Sequence, residues 1–125
     1  MGLGDLHLGT SREAIRRLLG SRYKSFQKTS GSPLVDAYYE FGLHLYFDLQ
    51  DLLKYIEAFP PSSPILQGIP LLQGESACVV DQLKNAGHQP RWDDPSYYFD
   101  DIGIALFAPY QSIEAVGVFR KDEYV

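Results

Sequence analysis

Cysteine is almost absent from this chain, with Cys78 the single example in 125 residues. One thiol excludes an internal disulfide framework and suits a reducing compartment. Cys78 falls in a predicted helix, where a small buried hydrophobe is the expected role. Long apolar runs are missing too, and none approaches the roughly 20 residues needed to span a bilayer. The N-terminus lacks the basic start and apolar run of a secretory signal. A cytoplasmic protein that does not engage membranes is expected. Basic residues are in deficit, because 11 Lys and Arg face 16 Asp and Glu for a net charge of −5. Nucleic-acid binding depends on neutralising phosphates and is not expected here. The balance suits another protein as partner, and a basic one.

The patterns that carry chemistry are also lacking. No Gly-Lys-Ser/Thr run exists to cradle a phosphate, so no nucleotide cofactor is predicted. His7, His44 and His88 are far apart and lack metal-ligand spacing. There is no Gly-x-Ser-x-Gly elbow. Asp36, His44 and Ser11 can be drawn as a triad, but nothing in their spacing favours it. No catalytic residue, metal site or cofactor is predicted, and the chain is expected not to be an enzyme.

What is present is a pattern written twice. Leu6-His7-Leu8-Gly9-Thr10-Ser11 leads into a helical stretch, then Tyr38 to Phe47 and Leu53 to Phe59. Leu71-Leu72-Gln73-Gly74-Glu75-Ser76 leads into another, then Phe99 to Phe107 and Ile113 to Phe119. Gly9 answers Gly74, Ser11 answers Ser76, Gly42 answers Gly103, and Phe59 answers Phe119. Such self-similarity marks a duplicated supersecondary unit.

Thr10 or Ser11 is a suitable cap for the first helix, and Gly20 a suitable stop. Ile15, Leu18 and Leu19 form its apolar stripe, while Arg12, Arg16 and Arg17 fall on the rim or the wet face. Val79, Val80 and Leu83 do the same for the second helix, which stops near Gly87. Strands are predicted at about 23–28, 36–41, 43–47, 53–59, 96–101, 104–108 and 113–119. The connector Pro60-Pro61-Ser62-Ser63-Pro64 is short and stiff. The predicted class is α+β. It is one domain over 1–125, made of two repeats at about 6–59 and 71–119. The repeats form one continuous antiparallel sheet with both helices on one face.

The run Leu8-Gly9-Thr10-Ser11-Arg12-Glu13 through Leu18-Leu19-Gly20 resembles an opening shared by two families. These are the small outer-membrane assembly lipoproteins and the secreted β-lactamase inhibitor proteins. The inhibitors are likewise tandem duplications of a helix-and-strands unit, and they bind their enzyme on the open face of the sheet. The resemblance implies that architecture and that style of binding. The single cysteine and the missing export signal depart from the secreted inhibitors and argue against a β-lactamase target. A bacterial immunity protein that neutralises a toxin is the corresponding intracellular expectation.

Aromatic residues make up 14% of the chain, with nine Tyr and seven Phe. That is more than one thin core needs. Trp92 to Asp101 concentrates four carboxylates and four aromatics in ten residues, although Asp93-Asp94-Pro95-Ser96 also reads as an ordinary turn. The expected partner-binding surface is the uncovered sheet face and its rim, with His44, Tyr46, Tyr55, Trp92 and Asp101 contributing. The alternative is a small-molecule-binding or enzymatic domain with its pocket between the repeats. A third reading buries the aromatic face in a homo-oligomer.

Overall fold

In the computed structural model, which describes residues 2–120, β1 (Gly2–Leu3) and β2 (Leu6–His7) form a small hairpin. Helix α1 (Arg12–Leu19) follows, then β3 (Lys24–Gln27), β4 (Leu34–Tyr38), β5 (Leu43–Phe47) and β6 (Leu53–Ala58). A second hairpin, β7 (Ile65–Leu66) with β8 (Ile69–Pro70), precedes α2 (Ser76–Asn85). The chain then runs through β9 (Arg91–Asp93), β10 (Ser96–Phe99), β11 (Ile104–Phe107) and β12 (Ala115–Phe119). Eight strands make one antiparallel sheet in the order β3-β4-β5-β6-β12-β11-β10-β9. Its two meanders meet at the centre, where Val116 pairs with Ala58 and Val118 with Ile56. Mixed α+β architecture around an antiparallel sheet is therefore observed.

Strands β4 and β10 end earlier than the sequence predicts, because Tyr38 and Phe99 run straight into turns. Gly42 and Gly103 close those turns at φ 67° and 66°, a left-handed conformation that glycine adopts without steric cost. Each carbonyl then accepts from the residue one position past a central strand or at its end, Phe59 at 2.8 Å and Phe119 at 2.9 Å. A Cβ at position 42 would collide with the Phe59 carbonyl oxygen. Strand β9 and both hairpins have no counterpart in the sequence reading. Two or three residues are too few to show alternation.

Ser11 caps α1 by accepting from the Ala14 amide at 3.2 Å, and Gly20 ends it at φ 96°. Ile15 is buried as expected and Leu19 half-buried, but Leu18 is 54% exposed. The inward stripe is instead Arg12, Ile15, Arg16 and Leu19, at the i, i+3, i+4, i+7 spacing of one helix face. Arg12 is buried rather than on the wet face, because the sheet supplies it with anions. Its guanidinium donates to Asp36 at 2.9 Å, Asp51 at 2.7 Å and the Leu34 carbonyl at 2.9 Å. Arg16 grips both Asp36 oxygens at 2.9 Å, and Ser25 donates to the same carboxylate at 2.8 Å.

Helix α2 is seated differently. Val79, Val80 and Leu83 are buried, as the sequence predicts. Glu75, not Ser76, occupies the capping position, and Ser76 lies one residue inside the helix. Ser11 and Ser76 therefore do not play matching roles. Cys78 is exposed, contrary to its expected burial, because it points away from the Val79–Val80–Leu83 stripe. The main core cluster takes in Ile15, Val79, Val80 and Leu83 together with Leu43, Leu45, Phe47, Ile56, Leu106, Val116 and Val118.

Candidate binding site

Strand alternation divides the sheet into a core face and an outer face. On β5, Leu43, Leu45 and Phe47 are buried in the core, which leaves His44 and Tyr46 on the outer face. Cross-strand register carries this outward, since paired residues share a face. His44 pairs with Glu57 and Tyr46 with Tyr55 on β6. Glu57 then pairs with Gly117 and Tyr55 with Phe119 on β12. Ala105 on β11 faces Gly117, and Tyr98 on β10 faces Ala105.

Small residues at the centre of this face let large rings lie across it. Tyr55 crosses Gly117, where a Cβ would collide with its hydroxyl. Its ring stacks with Phe119 at 6.5 Å and meets Tyr46 edge-on at 5.6 Å. Tyr98 reaches Phe119 from the other side at 6.3 Å. The result is an aromatic band spanning both meanders. It borders a cavity of about 310 Å3, lined by Tyr46, Tyr55, Tyr98 and Phe119. Lys28, Lys54 and Glu57 complete the lining. Lys28 lies over the Tyr46 ring, 5.1 Å from its centroid, and Arg91 lies over Tyr98 at 4.7 Å. Burial, with the nearby Glu57 charge, pushes the Tyr46 phenol up to about 12. It stays a protonated donor throughout the physiological range.

His44 sits beside the cavity in an aromatic cage. Phe59, Phe26 and Tyr39 lie 4.8, 5.5 and 5.7 Å from its ring. Its Nδ1 is 3.0 Å from a Glu57 oxygen, and its Nε2 is buried without a hydrogen-bond partner. Asp36 faces the core through its pairing with Leu45, and Ser11 caps α1. The triad drawn from Asp36, His44 and Ser11 is thus not assembled.

Of the five residues predicted for the partner surface, the sheet brings together His44, Tyr46 and Tyr55. Trp92 is elsewhere. It pairs with Tyr97, which pairs with Leu106, so its side chain lies on the core face at the sheet edge. Its ring packs on Tyr97 at 4.5 Å. Asp101 lies in the β10–β11 turn and holds His88 Nδ1 at 2.7 Å, while His88 Nε2 is 3.3 Å from Gln67. That contact ties the end of α2 to two turns and does not join the aromatic band.

Sequence reasoning missed Lys28, Lys54, Tyr98 and Phe119 as cavity residues. Tyr98 and Phe119 were within reach, since both follow from alternation once Gly103 and Gly117 are placed in register. Lys54 was not. It enters the cavity through a register shift, by which Tyr46 faces Tyr55 but Phe47 faces Leu53, an irregularity that re-aims one side chain. Among the described residues no group of three His, Cys, Asp or Glu is placed to hold a metal ion. No helix among them is long and apolar enough to cross a membrane.

Comparison with known protein families, with curated proteins and with solved structures finds no match to this chain.

Proposed function

We propose that this chain is a non-enzymatic protein-binding module, of the immunity or inhibitor type, that neutralises a toxin or enzyme through the outer face of its sheet. The carrying observation is the row of partly exposed tyrosines Tyr46, Tyr55 and Tyr98, which runs across the junction of the two meanders over a fully buried Phe119. Rigid aromatics supply contact area at low entropic cost and dominate the energetics of many interfaces. The duplicated architecture belongs to the same proposal: one domain of two repeats, both helices on one face, acting in the cytoplasm. Supporting it are the matched Gly42 and Gly103 turns and the isolated bridges Ser11–Leu52 and Glu75–Ser112, which tie each helix start to the loop before a central strand. The overall acidity draws a basic partner at long range, while Lys28 and Lys54 ask for an acidic group at the cavity itself.

A photo-crosslinking side chain placed at Tyr46 or Tyr55 tests this in cells of the source organism. The expected result is one defined protein adduct from these positions and none from Leu18 or Cys78, which are exposed on the helices. With that protein purified, Tyr46→Ala should weaken binding by more than about 1 kcal/mol. Equal adducts from the helix positions, or none from the outer face, would overturn the reading.

The cavity favours a second reading, a small-molecule site between the two meanders. Its 310 Å3 falls at the small end of ligand pockets, which run from about 300 to 1,000 Å3.

A further inference from the structure

The charges on the outer face are sorted by half. Lys24 pairs with Ala37, and Ala37 with His44, so Lys24 lies on the outer face of the edge strand β3. Lys28 reaches the same face over the Tyr46 ring, and Lys54 joins it at the cavity. None of the three forms an ion pair among the described residues. The acid beside them, Glu57, is engaged by His44 at 3.0 Å. The β9 side differs. Arg91 is gripped by Asp100 at 2.8 and 3.1 Å, and Asp93, paired with Ser96, adds a negative charge. A chain of net charge −5 thus carries a strip of lysines on one half of its outer face.

We propose that the partner lays an acidic segment on the strip Lys24–Lys28–Lys54, which rests on the protein-binding reading of the outer face. An ammonium group covered by neutral or basic surface loses its water without gaining a counter-charge, and that is costly. Carboxylates turn the same burial into charge-assisted hydrogen bonds. The chain's overall charge does not decide this contact, because salt at physiological strength screens it beyond about 8 Å. The Tyr46 ring already holds the Lys28 ammonium 5.1 Å from its centroid, so one donor is placed before the partner arrives. The Tyr46 hydroxyl keeps its proton and does not repel an anion. No ring face has to be vacant, since ammonium and hydroxyl groups make these contacts. Nucleic acid, the other common polyanion, is disfavoured by the net negative charge.

Three capped hexapeptides, alternating Glu, Gln or Lys with Gly, are the probes, each titrated into the full chain and followed by amide NMR. The Glu peptide should shift the Lys24, Lys28 and Lys54 signals saturably and leave Lys84, exposed on α2, unmoved. The Gln peptide should bind about tenfold more weakly, the scale of one lost charge-assisted contact, and the Lys peptide not at all. Lys24→Gln, Lys28→Gln and Lys54→Gln together should abolish Glu-peptide binding, while arginine at the same positions should retain it. An unaltered thermal transition checks that both variants fold. Equal shifts at Lys84, a Gln or Lys peptide that binds as tightly, or no saturable shift at all would overturn the proposal. Tighter binding of oligothymidylate would make the occupant a nucleic acid, and shifts with protein concentration alone would make it a second copy; either result overturns it too. The protein captured at Tyr46 separates this proposal from the reading beneath it. The triple Gln variant should bind that protein about tenfold more weakly. If Tyr46→Ala weakens binding but the triple Gln variant binds equally or more tightly, the acidic segment is wrong and the protein-binding reading stands. No adduct from the outer face removes both.

Discussion

The two helices sit on the same sheet by different physics. Helix α1 presents Arg12 and Arg16 to a fully buried Asp36, while α2 presents Val79, Val80 and Leu83. An apolar seat gains from area alone and tolerates small shifts. An ionic seat depends on geometry, since desolvating a charge is costly unless its hydrogen bonds are complete. Here they are complete. Asp36 accepts from Arg12, Arg16 and Ser25, and Arg12 stacks over Phe47 at 4.1 Å. The difference teaches that two helices of similar length in one domain need not be seated by the same chemistry. Helix α1 is held by partners fixed in direction, α2 by bulk.

Removing the anion should break the comparison most sharply. Asp36→Ala leaves two guanidinium groups facing a vacated site, and breaking a buried pair of this kind costs about 3–5 kcal/mol. Denaturant unfolding measures it, and a loss below about 1 kcal/mol would mean that α1 is not held ionically. Leu83→Ala probes the other seat. With Leu83 fully buried, the expected cost is about 2–5 kcal/mol. That cost should be the same at pH 4 and pH 7, because no titrating group is lost; a marked difference would show that α2 also leans on charge.

The acid limb of stability sharpens the same contrast. Burial alone would raise the Asp36 carboxyl, but the Arg16 and Ser25 hydrogen bonds, with the charges of Arg12 and Arg16, outweigh it and hold it below the usual range. A carboxylate depressed on folding contributes stability above its unfolded value of about 3.9. That contribution is lost as pH falls through the lower folded value. Unfolding midpoints measured from pH 7 down to pH 2 should therefore fall in the parent and in Leu83→Ala, and fall less in Asp36→Ala. Asp100, lowered by its Arg91 hydrogen bond, shifts in the same direction in all three proteins. Parallel curves for all three would remove Asp36 as the source.

Alternation was the part of the fold legible in the sequence. Leu43, Leu45 and Phe47 place His44 and Tyr46 on the opposite face without further information, and the structure agrees. What long-range pairing decides was not legible. Asp36 lies 24 residues from Arg12, so the arginine reads as a wet-face residue until the sheet brings its anion near. Trp92 sits in a three-residue strand whose facing is set by pairing with β10 rather than by any local period. The aromatic richness of 92–101 was visible, but its division between two faces was not.

Leu18 gives the smallest expected effect and the most direct check on how α1 is seated. From sequence it belongs to the apolar stripe with Ile15 and Leu19, and full burial would make Leu18→Ala cost several kcal/mol. The arginine seat rotates the helix so that Arg12, Ile15 and Arg16 turn inward, which carries Leu18 out to 54% exposure. A surface leucine outside any network changes stability by no more than about 0.5 kcal/mol when truncated. Thermal unfolding of Leu18→Ala beside Ile15→Ala decides between the two orientations. A near-silent Leu18 with a costly Ile15 supports the ionic seat. A Leu18 as costly as Ile15 would mean that α1 lies on its leucines and that the Asp36 cluster is a consequence of packing rather than its cause.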